Sequence, residues 1–295
     1  MTVITYQSPE GLELTIGEGR LILLSAEGLE APALRLAIAK GAGMNGAISA
    51  SMRIEPRRIA VEALLDLRDL DEIGIANERS SICCAMRATD AYGTLTVQRA
   101  GRTRRIEALP ASAPAFAKKR WNEAWQRVRL EFVCPRPFFR SIEPVVSSVR
   151  YYASLTEFGE EGIELPLEGF EVARIEHSGE RTVTIQNDGN EAAPVRIRFT
   201  GPMVNPYIKN NTTNEVIRIS QMIRAGEYLE IDTEPGRRQI RLFQNGAERN
   251  GMHYLDLAST FWQLAQGENE IELGDESAGE GSEAFFEFSS HYLEA

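Results

Sequence analysis

Hydrophobic and polar residues alternate in short runs along the first part of this chain, and a period of two residues predicts β-strands. Glycine and proline separate the runs, as turns between strands require. Ala100-Gly101 stands between two of the runs and is typical of the tight turn of a β-hairpin. The pattern predicts strands at residues 12–16, 21–24, 47–54, 57–64, 95–98, 103–107 and 121–133.

The period changes between Asp71 and Ala88, where apolar residues recur at near-helical spacing. Ile75, Ile82 and Met86 are the members of this series, and acidic residues stand at its start. Acidic side chains favour the first turn of a helix because they complement the positive end of its dipole. We therefore predict one α-helix in this part of the chain.

The second half repeats short alternating runs and has no helical stretch. Turn residues bound each run, and the acidic, glycine-containing segment 275–283 predicts a solvated loop. The predicted strands are residues 182–185, 195–199, 216–219, 228–231, 239–243, 270–273 and 285–288. A series of short strands of this kind predicts a β-sandwich or jelly roll.

The stretch Cys134-Pro135-Arg136-Pro137 marks a boundary. Proline lacks the backbone N–H that a sheet needs, so strand pairing must end there. The charge balance changes at the same place: residues 1–140 carry 20 Lys and Arg against 16 Asp and Glu, whereas residues 141–295 carry 12 against 27. The net charges of +4 and −15 predict two domains, 1–140 and 141–295, joined by a stiff aromatic hinge over residues 134–141.

Length and composition are typical of a soluble globular protein. The chain has 295 residues, of which 43% are hydrophobic and 25% charged, and this length allows about two domains. It has no apolar run of the roughly 18 residues that a membrane span needs, and residues 1–6 lack the pattern of a signal peptide. We expect synthesis in the cytoplasm and no membrane insertion. The net charge of −11 argues against nucleic acid as a surface ligand.

Residue types that carry enzyme chemistry are few and lie outside recognisable motifs. Residues 41–46 fit GxGxxG, but a strand-like run follows them, so a tight turn explains the glycines better than a dinucleotide site. The three cysteines have no metal-binding spacing. The histidines lie outside the HExxH and GxSxG motifs; they are His177, His253 and His291. We therefore predict a protein that is not an enzyme, with no catalytic residue, cofactor or metal.

Two sets of residues are candidates for binding. Basic residues of the predicted hairpin favour contact with an acidic protein surface, such as a neighbouring copy; they are Arg102, Arg104 and Arg105. Aromatic residues of the second half could stack on a sugar ring; they are Tyr207, Tyr254 and Trp262. Trp262 follows Phe261 and precedes Leu264, so packing in the core is an equally good explanation for this residue.

Two further expectations concern side-chain environment. Cys83 and Cys84 fall within the predicted helix, where cysteines more often pack as small hydrophobes than react. Glu230 and Asp232 alternate with apolar residues, which predicts that both lie on the solvated face of a strand.

Several strings, in their order and spacing, resemble the distal tail proteins (Dit) of long-tailed bacteriophages, the siphovirus-type tail component family. In the first half they are residues 6–11, the turn at 41–46, the single helix, and the proline-aromatic-serine ending at 134–141. In the second half they are residues 201–208, 226–233 and 259–271. The resemblance covers nearly the whole chain.

This resemblance implies a mainly β protein. Its N-terminal β domain with one helix would form a hexameric ring, and its C-terminal jelly-roll sandwich, similar to galectins and carbohydrate-binding modules, would project outward. The family's partners are further copies of the same chain, the tail tube, the tape-measure protein and the tail-tip or receptor-binding proteins. DNA would pass through the ring without sequence-specific binding, and the protein would reside in the virion at the tail tip.

Three classes of function therefore compete. The first is a structural hub that joins the tail tube to the tail tip or baseplate. The second is a carbohydrate-binding protein that attaches to host cell-wall glycan through its jelly roll. The third, an enzyme acting on cell-wall glycan, is disfavoured by the scarcity of histidines and the missing motifs.

Overall fold

A computed structural model describes residues 2–40, 43, 45–118, 124–151, 153–156, 175–178, 181–276 and 282–295. The chain divides into two compact units, one made of Met1–Ile142 with His291–Ala295 and the other of Glu143–Ser290. The last five residues therefore belong to the first unit, although the sequence pattern assigned them to the second domain. Of the described residues, none lies in a helix long and apolar enough to cross a membrane.

The first unit is mainly β. Its elements are β1 (Val3–Gln7), β2 (Glu13–Ile16), β3 (Leu21–Glu27), β4 (Leu34–Ala39), β5 (Ile48–Ile54), β6 (Arg57–Asp66), α1 (Glu72–Ala85), β7 (Gly93–Arg99), β8 (Arg102–Pro110), β9 (Ala115–Phe116), β10 (Trp125–Cys134) and β11 (Phe139–Ser141). The main sheet has the strand order β2-β1-β7-β8-β10-β6-β3. Strands β4 and β5 form a separate two-stranded hairpin.

In the strands of the first unit, buried and more exposed residues alternate, as the alternation of hydrophobic and polar residues in the sequence predicted. Along β6 every second residue from Arg57 to Leu65 is buried, and β10 shows the same pattern from Gln126 to Cys134. The two strands pair antiparallel over their full length. Side chains on one face of these strands therefore form the core, because successive residues of a strand point to opposite faces.

The predicted helix is confirmed and begins with a side-chain cap. Asp71 accepts a hydrogen bond from the backbone N–H of Gly74 at 2.7 Å, which satisfies one of the free donors at the start of α1. Ile75, Ile82 and Met86 are buried, as their spacing predicted. Cys83 and Cys84 are exposed, so the expectation that they pack in the core is wrong; they fall on the outer face of the helix.

The predicted hairpin is confirmed as β7 and β8. Ala100 and Gly101 connect the strands with φ angles of 51° and 78°, and two successive positive φ angles match the right-handed twist of the strands they join. At the GxGxxG segment Gly43 and Gly46 also have positive φ, of 79° and 95°. Residues 41, 42 and 44 of that segment lie outside the described residues, as do residues 121–123 of the predicted strand 121–133.

Strand β10 ends at Cys134, where the two prolines begin, as predicted. The segment 134–141 is nevertheless part of the first unit and not a hinge. Its strand β11 pairs with β8, and Phe139 is fully buried. The sequence suggested a hinge because prolines interrupt the pattern, but a short strand returns to the sheet after them.

The second unit contains two larger sheets, which share one core, and two pairs of short strands. Its strands are β12 (Val145–Tyr151), β13 (Ala153–Thr156), β14 (Ile175–Ser178), β15 (Thr182–Asn187), β16 (Val195–Thr200), β17 (Met203–Val204), β18 (Tyr207–Asn210), β19 (Glu215–Arg218), β20 (Met222–Ile223), β21 (Tyr228–Asp232), β22 (Gln239–Gln244), β23 (Ala247–Asn250), β24 (Gly267–Gly274) and β25 (Ser282–Phe288), with a 3₁₀ turn η1 (Met252–Tyr254). One sheet has the order β12-β25-β16-β21-β22-β23, the other β15-β24-β18-β19. The seven strands predicted for this half are all present. The predicted loop at 275–283 includes residues 277–281, which lie outside the described residues.

Buried apolar residues from both sheets form the core of the second unit. Ile197, Phe199 and Phe286 come from the six-stranded sheet, whereas Ile208 and Ile271 come from the four-stranded sheet. Two sheets that pack face to face in this way form a β-sandwich, and the arrangement is compatible with the predicted jelly roll. After β25 the chain continues into β26 (His291–Tyr292), which pairs with β11 in the first unit.

Candidate functional site

The last five residues, His291–Ala295, form a closing segment that is held inside the first unit. Arg57 is 2% exposed, and its guanidinium donates hydrogen bonds to four backbone carbonyls. Those of Pro137, Gly28 and Leu293 lie at 2.8, 2.7 and 2.6 Å, and the fourth belongs to Glu30. A guanidinium is suited to this position because it presents five donors in a fixed plane.

Burial changes the acid–base behaviour of Arg57 and of its strand partner. Desolvation lowers the pKa of Arg57 to about 10, which leaves the side chain charged at neutral pH. Cys134 lies opposite Arg57 in the β6–β10 register, and burial raises the pKa of its thiol to about 12. The thiol of Cys134 is therefore protonated and unreactive near pH 7, since the thiolate is the nucleophile.

Arg104 is the second arginine that holds the closing segment. It is 7% exposed, donates to the carbonyl of Glu294 at 2.6 Å and lies over the ring of Tyr292 at 3.7 Å. Arg102 lies 3.8 Å from the carboxylate of Glu294. The sequence proposed these arginines as a contact to another subunit, whereas Arg104 uses its guanidinium within its own chain. For Arg102 and Arg105 the subunit contact stays a prediction.

The three candidate sugar-stacking residues lie in different environments of the second unit. Trp262 is 1% exposed and belongs to the core, the alternative that the sequence left open. Tyr254 is partly buried against that core. The ring of His253 lies against the ring of Tyr254, with the two centroids 3.8 Å apart. Tyr207 donates to Glu272 at 3.2 Å, and Arg218 lies over its ring at 5.0 Å. With Trp262 buried, these residues do not form one exposed platform.

The histidines considered in the sequence are dispersed. His291 is buried in the closing segment and stacks on Phe138 with the ring centroids 5.5 Å apart. His253 lies in the 3₁₀ turn of the second unit. The side chain of His177 lies outside the described residues. The structure thus places His253 and His291 in different units.

The outward face of the six-stranded sheet carries a network that the sequence pattern did not predict. Glu230 is 8% exposed and accepts hydrogen bonds from Arg198 at 2.6 Å and from Arg241 at 2.8 Å. It was expected on the solvated face, but the two arginines from neighbouring strands cover it. Asp232 is intermediate in exposure.

Aromatic rings extend this network along the same face. Tyr228 and Phe243 stack at 4.4 Å between ring centroids, Arg198 lies over Tyr228 at 4.9 Å, and Arg241 lies over Phe243 at 5.6 Å. Cations over aromatic faces are attracted by the ring quadrupole. These rings therefore contact arginines of their own chain, and the network ties β16, β21 and β22 together.

The strongest exposed apolar surface lies on the β4–β5 hairpin of the first unit. Five large side chains are between 51% and 66% exposed: Leu34, Leu36, Ile38, Ile48 and Met52. The sequence predicted β5 as a strand without indicating that both of its faces are exposed. Nothing in the local pattern could show this, because the same alternation occurs in the buried strands.

Strand β3, at the end of the main sheet, presents a second exposed apolar surface. Ile22 and Leu24 are 41% and 43% exposed. They border an open hollow of about 400 Å³. Its lining also includes Thr2, Gly17, Leu29 and Glu30. Edge strands offer unpaired backbone N–H and C=O groups, so they are natural positions for contact with another chain.

Comparison with known proteins identifies relatives of this fold. Residues 188–291 match the family model described as the siphovirus-type tail component, C-terminal domain. This range contains the three second-half strings at 201–208, 226–233 and 259–271, so the resemblance predicted from the sequence is confirmed. A search of curated proteins finds no match.

Solved structures are similar over almost the entire chain. The crystal structure of the Dit protein of phage SPP1, described as a paradigm of hub adsorption apparatus in Gram-positive infecting phages, has a TM-score of 0.69 at 13% identity, with 99% of each chain covered. A chain of the phage P2 baseplate, in its activated conformation with Ca, has a TM-score of 0.50 at 10% identity, with 98% of this chain and 97% of that chain covered. A chain of the same baseplate in its activated conformation with Sr has a TM-score of 0.50 at 10% identity, with 98% of each chain covered. At these identities the similarity establishes the fold.

Proposed function

We propose that this protein is a structural component of the distal end of a phage tail, a hub that joins the tail tube to the tail tip or baseplate. The observation that carries the proposal is the fold similarity to a phage hub protein over 99% of both chains, which includes both units. The family match at residues 188–291 supports it independently, because it rests on sequence.

The proposal includes assembly into a ring with an open channel. The resemblance to the tail component family suggests six copies, with DNA passing through the channel without sequence-specific binding. The partners would be the tail tube, the tape-measure protein and the tail-tip or receptor-binding proteins. A structural role needs no catalytic group, cofactor or metal. The protein would be made in the host cytoplasm and reside in the virion at the tail tip.

Immunogold electron microscopy of phage particles tests the location. Antibodies against the purified chain, applied to particles from a host that carries the gene, should label the end of the tail distant from the capsid. Labelling at the capsid, along the tail or on no particle would contradict the proposal. Particles from a strain in which the gene is deleted provide the control for antibody specificity.

The competing proposal, attachment to host glycan through the second unit, has less support. It relied on an exposed set of aromatic residues, of which Trp262 is buried. Tyr228 and Phe243 of that unit stack on each other, and their rings already contact Arg198 and Arg241. The second unit is better explained as a structural module whose fold alone does not specify a ligand.

A further inference from the structure

Three Asn-Gly dipeptides occur in this chain, and such a pair can rearrange without an enzyme. They are Asn45-Gly46, Asn245-Gly246 and Asn250-Gly251. The backbone nitrogen of the glycine attacks the side-chain carbonyl carbon of the asparagine, and glycine favours this step because it has no side chain to obstruct the approach. The folded chain holds the three pairs in different ways, so they should differ in reactivity.

Hydrogen bonds and packing restrain the pair Asn250-Gly251. The side-chain oxygen of Asn250 accepts a hydrogen bond from the N–H of Met252 at 2.9 Å, and the N–H of Gly251 donates to the carbonyl of Ile240 at 2.8 Å. Gly251 is buried, and a Cβ at this position would lie 2.9 Å from the side chain of Ile240. The attacking nitrogen is therefore engaged and shielded, and reaction requires local opening of the structure.

The pair Asn245-Gly246 forms the two-residue turn between β22 and β23. Gln244 and Ala247 pair on either side of it, and the two turn residues have φ angles of 51° and 74°. A residue in this left-handed region has a ψ angle of about +47°, which places the following nitrogen and its own side chain on opposite sides of the Cα–C bond. Attack needs both on the same side, so the turn must open first.

The pair Asn45-Gly46 has neither kind of restraint. It lies between β4 and β5, outside both strands, and both residues are exposed. Within the described part of the chain neither residue takes part in a hydrogen bond, and a Cβ at Gly46 would meet nothing within 4 Å. The side chain of Asn45 can therefore approach the nitrogen of Gly46 without the loss of a hydrogen bond or a packed contact.

We propose that Asn45-Gly46 is a site of spontaneous modification, at which the asparagine converts to aspartate and isoaspartate. The nitrogen of Gly46 loses its proton and forms a bond to Cγ of Asn45, while the Cγ–Nδ2 bond breaks and ammonia leaves. Water then adds to either carbonyl carbon of the cyclic imide and opens the ring. Opening at one carbonyl gives aspartate, and opening at the other gives isoaspartate, whose backbone runs through Cγ.

The modification would change the charge of the β4–β5 hairpin. Residues 34–54 contain three cations and no carboxylate, so the product introduces the first negative charge into this stretch. Isoaspartate also lengthens the connection between two strands that, in the described sheets, pair only with each other. The inference goes beyond the proposed function and does not depend on it.

Incubation of the purified chain at pH 8, followed by digestion with trypsin, tests the site. Cleavage after Lys40, Arg53, Arg241 and Arg249 places each of the three asparagines on a separate peptide. Mass spectrometry detects the change from amide to carboxylate, and electron-transfer fragmentation distinguishes isoaspartate from aspartate. We expect the product at Asn45 to form about tenfold faster or more than at the other two sites, because an opening that costs about 1.4 kcal/mol already lowers a rate tenfold.

Two controls separate the effect of the fold from the chemistry of the dipeptide. In denaturant, where the turn and the hydrogen bonds are lost, the three pairs should react at similar rates, since glycine follows each asparagine. The variant Asn45→Gln should lose the product at this position, because the longer side chain would have to close a larger and less favourable ring. The matched variant Asn245→Gln should leave the reaction at Asn45 unchanged.

Three results would overturn the inference. The first is a folded chain in which Asn45 forms no aspartate or isoaspartate. The second is an equal rate at the three pairs in the folded chain, which would show that the fold does not select among them. The third is a preference for Asn45 that persists in denaturant, which would assign the difference to the neighbouring sequence. Antibody labelling of particles tests the proposed function separately from all three.

Discussion

Arg57 connects four carbonyl oxygens that belong to separate parts of the first unit. Those of Gly28, Glu30, Pro137 and Leu293 all accept hydrogen bonds from this one side chain. Pro137 lies in the segment between β10 and β11, and Leu293 lies in the closing segment, so this one side chain holds both segments in the first unit.

Substitution of Arg57 tests this structural role. Arg57→Met leaves the four carbonyls without their donor, and we expect the free energy of unfolding to fall by about 3 kcal/mol, because breaking a buried charged network is strongly destabilising. Arg57→Lys should recover part of this loss, as it restores the charge but not the planar set of donors. Chemical denaturation measures both effects.

Arg58→Met is the matched control, since Arg58 is the exposed neighbour on the same strand. It should change the free energy of unfolding by about 0.5 kcal/mol or less. Equal destabilisation by the two methionine variants would contradict the role assigned to Arg57.

The three cysteines should differ in reactivity. Cys83 and Cys84 are exposed, whereas Cys134 is buried and its thiol has a pKa of about 12. We expect a thiol reagent at pH 8 to modify Cys83 and Cys84 in the folded protein and Cys134 only after unfolding. Mass spectrometry of the labelled peptides identifies the modified residues. Rapid labelling of Cys134 under native conditions would show that β10 does not pack as described.

The closing segment illustrates how an element distant in sequence completes the sheet of the first unit. Strand β26 pairs with β11, and the N–H of Ala295 donates to the carbonyl of Leu29 at 2.9 Å. No local pattern could reveal this contact, because the partners are more than 140 residues apart and the segment follows the strands of the second unit.

Deletion of residues 291–295 should weaken the first unit selectively. We expect faster amide hydrogen exchange in β8 and β11 and around Leu29, since these regions lose their hydrogen-bond partners, with little change in β16 and β21. The variant Glu294→Gln, which keeps the backbone, serves as the control and should resemble the wild type. Equally faster exchange in both units, or unchanged exchange in the first unit, would contradict the assignment of the closing segment to the first unit.

Sequence patterns predicted elements well where local chemistry determines them. The cap at Asp71, the turn at Ala100-Gly101 and the end of β10 before Pro135 all follow from properties of one or two residues. The predicted solvent exposure of Glu230 was wrong, because arginines from two neighbouring strands cover its side chain. The exposure of the β4–β5 hairpin was likewise invisible, since alternation shows that a strand forms but not whether another strand covers it.

At the scale of the whole molecule, the chain consists of two mainly β units, and its two halves differ in net charge. Residues 1–140 carry a net charge of +4 and residues 141–295 a net charge of −15. The sequence predicted this two-part organisation, although the first unit also includes the closing segment. The fold similarity to a phage hub protein covers 99% of both chains and therefore includes both units.

Imaging of the purified chain tests the central claim of a ring-forming hub most directly. Light scattering over a concentration series should reveal one large species, and negative-stain electron microscopy should show a six-fold ring with an open channel and peripheral lobes. A species that never exceeds the monomer, or a closed assembly without a central opening, would contradict the account.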